Sequence, residues 1–600
     1  GNGIQVMEKS RTEIREGASG MTNAQIAKIF GEIADLLELK GESPFRIRAY
    51  RRAAMNVEAM PKDLSSLEEG ELTAIPGIGR DLAGKIRQYA QTGRVDLYED
   101  LMNEIPAGLL SLLRIPGIGP KTARMLYDKR NVKSIEELEA LARGKKLAGL
   151  PGIQEKTEEN ILKGIEQVKK GRERFSLGMG LPVARNLLRL LQESDPKGKF
   201  ALAGSIRRWR ETIKDIDILA AGKRPENIAK AFVRLPVAKE VLEQGATKCS
   251  VLIPEGIQVD LRVVEEGSFG AALQYFTGSK AHNIKLREMA SRRGWKINEY
   301  GLFRESDGKR IAGREEEEIY SALGLPWIPP ELREDGGEIE AALEGKLPDL
   351  LILSDIQGDL HAHTRWSDGS HELEELAAAA KARGYRYLAV TDHSKGLGIA
   401  HGLDGERVRE QIGRIDAANR KLSGFRILKG IEVDIRGDGS LDLDDEVLSR
   451  LDIVVASIHS GFRQGKERIT NRLLSAVRNP FVSVIAHPTG RLIGERDPYE
   501  ADLEAVFREA ARRGVAMEIN AHPIRLDLSD RHARMAKQYG IPLVVSTDTH
   551  ITANLDYMEY GVGVARRGWI GKGDVLNTLG TAALLKRLAA MRRTGRVRAS

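Results

Sequence analysis

From about residue 350 onward the chain repeats one pattern, a short apolar run followed by a stretch of helical periodicity. The runs fall at 387–390, 453–458, 481–485, 515–519 and 543–545 and are rich in Val, Ile, Leu and Ala. Unbroken apolar runs of this length suit strands buried on both faces, and their alternation with helices predicts a parallel β/α barrel. In such a barrel the C-terminal ends of the strands converge on one mouth, so residues remote in sequence can share a site. Polar residues stand at those ends: His361, His363, Asp368, His393, Glu432, His459, His487, Asp548 and His550. Of the 11 histidines only His282 precedes residue 361, so this part of the chain does different chemistry from the rest. Imidazole and carboxylate donors without thiolate suit Zn²⁺, Mn²⁺ or Fe²⁺. Asn520, His522 and Arg525 are candidates to contact these ligands or a substrate, with structural roles equally open.

Six hundred residues exceed what one hydrophobic core supports, so several domains are expected. Apolar residues make up 41% and charged residues 30%, which excludes wholesale disorder. A net charge of +7 is compatible with a nucleic-acid partner without requiring one. With Cys249 as the single cysteine, neither a disulfide framework nor a zinc–thiolate cluster can form within the chain, and its apolar flanks suit a core thiol. No apolar run approaches a membrane span, and the start lacks a signal-peptide core, so a cytoplasmic monomer with no membrane contact is expected.

The first half carries its own chemical centre, residues 204–219, GSIRRWRETIKDIDIL. Asp215 and Asp217 alternate with isoleucines, so on a strand both carboxylates project from one face. Mg²⁺ favours a few carboxylates plus substrate phosphates, which points to a nucleoside triphosphate as the remaining ligand set. Gly204 and Ser205 let backbone amides approach phosphate, and Arg207 or Arg208 can neutralise its charge.

Upstream, residues 23–39 carry apolar side chains at helical spacing, followed by the cationic run Phe45 to Arg52. Then Ile-Pro-Gly-Ile-Gly occurs at 75–79 and 115–119, and Leu-Pro-Gly-Ile-Gln at 150–154. Each precedes a basic helical stretch, and free amides at a helix N-terminus suit a phosphate. These turns resemble helix-hairpin-helix elements, and the resemblance implies that Gly77, Gly79, Gly117 and Gly119 contact the DNA backbone. The third copy lacks the second glycine and reads as structural.

Taken in order, GSIRR, DIDIL, VDLRV and the segment from Tyr275-Phe-Thr-Gly-Ser to Asn283 and Arg287 resemble the family X (DNA polymerase beta-like) DNA polymerases over most of residues 21–330. The resemblance implies a nucleotidyltransferase palm with a thumb, in which Asp215, Asp217 and Asp260 hold two Mg²⁺ or Mn²⁺. It implies further that Tyr275, Phe276 and Gly278 lie against the dNTP sugar, that Asn283 meets the base edge and that Arg287 meets the template. Lys214 departs from the family pattern beside the first aspartate. Lys85 falls where the family's lyase domain carries a Schiff-base amine; lyase chemistry and phosphate contact remain equal readings, with Arg80 or Arg87 as the cations that would activate it.

The C-terminal ligand residues resemble the PHP (polymerase and histidinol phosphatase) family, a distorted barrel holding up to three metals. That resemblance implies one set of His361, His363, Glu432 and Asp548, a second of Glu432, His459 and His487, and a third of Asp368, His393 and His550. Asp368 in place of histidine hardens the third set toward Mn²⁺.

The expected architecture is multidomain, α and α/β. It comprises a tail at 1–20, a helical lyase-like helix-hairpin-helix domain at 21–105, a fingers-like one at 106–170, a palm at 171–267, a thumb at 268–330, a linker at 331–355, a PHP barrel at 356–585 and a basic tail at 586–600. The expected activity is gap-filling DNA polymerisation coupled to a metal-dependent 3′-5′ exonuclease or abasic-site phosphodiesterase. Its partners would be gapped or nicked DNA, dNTPs and other base-excision repair proteins. A polymerase with a purely structural barrel, or a small-molecule phosphatase tethered to DNA, are the alternatives.

Overall fold

The computed structural model describes residues 23–597, apart from 59–63, 65–66, 74, 76, 93, 106–108, 110–111, 114, 116–117, 148, 152, 154, 170–173 and 397–399. The tail at 1–20, Gly117 and residues 598–600 lie outside the described residues.

The N-terminal region is helical, from Asn23–Lys40 to Glu155–Lys169. One hydrogen bond recurs at all three repeats: the amides of Ile78, Ile118 and Ile153 bond the carbonyls of Ile75, Ile115 and Leu150, each at 3.0 Å. In the first two, Gly79 and Gly119 stand immediately before the helices Arg80–Thr92 and Pro120–Arg130. Gly77 adopts φ +81°, where a Cβ would meet the Asn56 side chain at 2.8 Å. A single apolar core from Ile26 to Ile165 runs through both helix-hairpin-helix units.

The palm is a five-stranded sheet in the order β2 (Lys199–Leu202), β4 (Asp215–Ala221), β7 (Gln258–Val264), β6 (Lys248–Leu252), β5 (Glu240–Gln244). The short pair β1 (Phe175–Ser176) and β3 (Thr212–Ile213) lies beside it. Strands β4 and β7 are parallel and in register with Asp217 opposite Asp260. The thumb carries β8 (Trp295–Asn298), β9 (Gly301–Arg304) and β10 (Arg310–Ala312) as an antiparallel sheet.

Part of the expected linker at 331–355 packs on the thumb, while 343–346 and 352–354 are exposed. Leu332, Ile339, Ala342 and Leu350 join the thumb core, and Arg333 and Glu338 are buried as partners of thumb side chains. Its acidic run reads as solvated in sequence because the charges that neutralise it come from elsewhere in the chain.

The C-terminal sheet is parallel and runs in sequence order: β11 (Gly358–Asp359), β12 (Tyr387–Val390), β13 (Arg426–Asp434), β14 (Ile453–Ser457), β15 (Val484–Ile485), β16 (Ala516–Asn520), β17 (Leu543–Ser546). An isolated parallel bridge between Ala362, after β11, and Thr549, after β17, brings the two ends of the sheet together into a nearly closed barrel. Helix Thr581–Val597 plugs the end where the strands begin, with Leu584, Leu588 and Met591 against Tyr387, Ile453, Val484 and Val544. The expected basic tail from 586 is therefore largely the second half of a plug helix: its apolar face is buried, a pattern that its six basic residues mask in the sequence. Among the described residues no helix is long and apolar enough to cross a membrane.

Candidate active sites: a carboxylate triad and a barrel-mouth metal centre

Alternation along β4 puts Asp215 and Asp217 on one face, and the register brings Asp260 of β7 beside Asp217. Three carboxylates so close repel one another. Burial, with Asp215 and Asp260 adjacent, lifts Asp217 to about 7; burial and Asp260 lift Asp215 as well. A divalent cation between these acids would relieve that repulsion. Asp260 accepts hydrogen bonds from Ser250 Oγ and from Gln258 Nε2, the latter at 2.9 Å.

Asp215 and Asp217 line a cavity of 760 Å³. Gly204, Ser205 and Arg208 form one wall with Asp215 and Asp217, and Tyr275, Phe276 and Gly278 another. Asn283 and Arg287 complete it, and Lys214 lies at its edge. Gly204 is required sterically: at φ +60° a Cβ would lie 2.0 Å from Asp217 Oδ2. Asn283 is fixed by Gln274 Nε2 donating to its Oδ1 at 2.7 Å and by its Nδ2 donating to the Tyr275 carbonyl at 2.8 Å.

Arg207 departs from the expected phosphate role. It turns away from the cavity, donating to Glu316 at 2.8 and 2.9 Å and to Thr277 Oγ1 at 2.6 Å. Adjacent residues in a helical turn point in different directions, so only Arg208 can reach the cavity. Arg208 is itself held by Glu334 at 3.0 Å and by the Thr277 carbonyl. The Lys85 amine pairs with Asp81, and Arg87 pairs with Glu68 at 3.1 Å.

All nine C-terminal ligand residues meet at the barrel mouth. Glu432 Oε2 lies 3.4 Å from His361 Nε2 and 3.6 Å from His363 Nε2, and Asp548 Oδ1 is 3.6 and 3.1 Å from the same two atoms. The other oxygen, Oε1, lies 3.2 Å from His459 Nε2 and 3.1 Å from His487 Nε2. Asp368 lies 3.5 Å from His393 Nε2 and 3.4 Å from His550 Nε2. His393 Nδ1 also approaches Glu432 Oε2, at 2.9 Å.

Bonds of about 2.1 Å to one ion place neighbouring donors about 3.0–3.4 Å apart, and these separations, 2.9–3.6 Å, lie close to such edges. His361 Nε2, His363 Nε2 and Glu432 Oε2 are buried without a hydrogen-bond partner, as donors reserved for a cation would be. Burial would raise Glu432, but His393, His459 and His361 more than offset it and hold the carboxyl well below its usual range.

Two further carboxylates orient this site and were not anticipated. Glu518 on β16 is fully buried; its carboxylate bonds His361 Nδ1 and the His487 amide, each at 2.7 Å. A hydrogen bond at Nδ1 leaves Nε2 free as the ligating nitrogen. Asp434 Oδ1 accepts from the His459 amide at 3.3 Å and faces its ring at 3.4 Å. The available signal was an acid within an apolar run, Ala-Met-Glu-Ile-Asn. Of the substrate-contact candidates, Asn520 donates to Asp548 at 3.2 Å and Arg525 approaches the same carboxylate at 3.5 Å. His522 packs edge-on to Tyr557.

Fold and centres together define a two-centre enzyme that combines a nucleotidyltransferase palm with a metal-dependent phosphoesterase barrel. Family profiles match the helix-hairpin-helix domain at 21–95, a SAM-like helix-hairpin-helix tandem at 109–167, the DNA polymerase beta thumb at 272–334 and the PHP domain at 359–522. The DNA polymerase/3′-5′ exonuclease PolX of Bacillus subtilis (strain 168) is 42% identical over 559 residues, 93% of this chain and 97% of that protein. The barrel region alone is 31% identical over 235 residues to a probable phosphatase of Thermoanaerobacter sp. (strain X514), 37% of this chain and 89% of the relative. It is 32% identical over 203 residues to one of Acetivibrio thermocellus, 32% and 79% respectively. The chain belongs to the bacterial family X DNA polymerases that carry a C-terminal PHP domain.

Proposed function

We propose that the protein is a DNA-directed DNA polymerase that fills short gaps with dNTPs, and that its barrel is a 3′-5′ exonuclease that also acts at abasic sites. The observation that carries the reading is the presence of two complete and separate acidic centres, one beneath a nucleotide-sized cavity and one in the barrel mouth.

In the first centre, Asp215, Asp217 and Asp260 would hold Mg²⁺ or Mn²⁺, which supplies charge neutralisation on the phosphates and acidifies the attacking hydroxyl. The chain's own residues do the positioning. Gly204 and Ser205 offer backbone to the triphosphate, Tyr275, Phe276 and Gly278 lie against the sugar, and Asn283 and Arg287 face the base pair and the template. Asp260, steadied by Ser250 and Gln258, faces the primer 3′ hydroxyl. The turns at Gly77, Gly79 and Gly119 grip the DNA backbone without reading sequence.

In the second centre, three sets of donors would hold Zn²⁺, Mn²⁺ or Fe²⁺, which would supply Lewis acidity to a water and neutralise charge on the phosphoester. Glu432 faces two of the sets with its separate oxygens, and Arg525, beside Asp548, would meet phosphate. Base-excision repair is the setting in which both activities serve one substrate.

The test uses gapped DNA with dNTPs and Mn²⁺, comparing wild type, Asp217→Ala and His363→Ala. Asp217→Ala is expected to abolish extension and spare digestion, and His363→Ala to do the opposite. Primer extension by Asp217→Ala refutes the polymerase assignment; digestion by His363→Ala at the wild-type rate refutes the nuclease assignment.

A further inference from the structure

Between the phosphate-facing turn at Gly204-Ser205 and the catalytic Asp215 lies Trp209, which adopts φ +55°. For a large aromatic residue this left-handed conformation is an outlier that persists only where the surroundings over-determine it. Those surroundings belong to the barrel. The Trp209 indole lies over Gly563 of helix Met558–Arg567, where a Cβ would be 2.5 Å from its Cε3. Tyr560 meets the same ring edge-on at 6.1 Å.

Barrel side chains hold the residues on either side as well. Arg567 donates to the Arg208 carbonyl at 2.7 Å, and Arg491 pairs with Glu211 at 2.7 Å. Arg491 belongs to the loop that follows the metal-centre residue His487.

The barrel thus grips residues 208, 209 and 211 in succession. The strain is carried directly to the nucleotide turn, because the Arg210 amide bonds the Ser205 carbonyl at 3.1 Å and the Trp209 amide bonds that of Ile206 at 3.1 Å. On the far side, the Ala203 amide bonds the Asp217 carbonyl at 2.8 Å. Rotating Trp209 out of its seat would therefore move Ser205, and with it the wall that faces the triphosphate.

We propose that Trp209 and its seat on Gly563 and Tyr560 are positioning residues for the incoming dNTP, so that the PHP barrel contributes to polymerisation as the back wall of the nucleotide turn, independently of its own metal site. The inference rests on the polymerase reading above.

The test compares full-length wild type, Trp209→Ala, Trp209→Phe and Gly563→Ala in single-nucleotide gap filling, with KM for the dNTP and kcat determined separately. The 3′-5′ exonuclease rate of the same preparations reports barrel integrity. Gly563→Ala is the sharper variant, because it changes no polymerase residue and acts only by pushing the indole. Trp209→Ala and Gly563→Ala are expected to raise the dNTP KM by about fivefold or more, with exonuclease activity retained and Trp209→Phe recovering most of the loss. An unchanged KM in both variants overturns the proposal, as does a parallel loss of exonuclease and polymerase activity, which would mark a merely structural residue. Failure of wild type to extend a primer would instead overturn the polymerase reading itself.

Discussion

Glu316 is the residue whose loss should be felt most sharply between palm and thumb. It is 4% exposed and accepts two hydrogen bonds from Arg207, one at 2.6 Å from the fully buried Arg333, and one at 2.8 Å from Trp327 Nε1. Burial by itself would raise its pKa, but the hydrogen bond from Arg207 and the charge of Arg333 prevail and hold it at about 2 against an ordinary 4.5. That difference corresponds to about 3 kcal/mol favouring the ionised folded form. Glu316→Gln should cost about that much, in line with the roughly 3–5 kcal/mol for breaking a buried ion pair and stranding its partner. The sign with pH follows. Because the folded value is depressed, the stabilisation is complete above about 4.5 and is lost as pH falls toward 2. Hydrogen exchange read by mass spectrometry over residues 295–334 measures this locally, which matters because a chain of several domains has no single unfolding free energy. The opening free energy of the thumb should drop by about 3 kcal/mol in Glu316→Gln at neutral pH. The wild-type value should fall on acidification through that window, while the variant stays comparatively flat. Protection in Glu316→Gln within about 0.5 kcal/mol of wild type would refute the argument that this carboxylate latches palm to thumb.

Replacing Glu518 with Gln removes the carboxylate that fixes His361 and the His487 amide, and should weaken metal retention in the barrel by about 10–100-fold. Elemental analysis after dialysis checks this, and primer extension should be spared. Gly204→Ala forces a methyl against Asp217 Oδ2 and should lower gap filling by about 100-fold while exonuclease activity persists. Stripping divalent ions with a chelator should lower the barrel's Tm, and adding Mn²⁺ back should restore it, because binding to the folded state alone stabilises it. An unchanged melting profile in calorimetry would count against the donor sets described.

Residues whose function and position coincide in the chain were legible beforehand. Asp215 and Asp217 declare a shared face by their spacing alone, and the barrel ligands declare themselves by standing at the ends of apolar runs. What escaped is whatever depends on a partner far away in sequence. Arg207 and Arg208 are indistinguishable on paper; their roles diverge because Glu316, more than a hundred residues later, captures one of them. Lys85 pairs with Asp81, one helical turn earlier. Within the segment at 331–355, which has the composition of a linker, Arg333 and Glu338 are buried because Arg333 finds Glu316 and Glu338 finds His282 at 2.7 Å.

The same dependence bears on how the two centres are to be separated experimentally. Apolar residues from Leu177 of the palm to Val575 of the barrel form one continuous cluster, and Arg185 pairs with Glu559 across the same junction at 2.7 and 2.8 Å. Deleting the barrel would therefore expose core surface on the palm and release Trp209 at once. A truncated polymerase that works poorly would say nothing about hydrolysis, since it would have lost its packing together with its metals. Point substitutions at the metal ligands lack that defect: His363 is buried within the mouth and touches no palm residue in the ion pairs that hold it. The separation of the two activities must therefore be argued from single side chains, because the fold does not offer two bodies to pull apart.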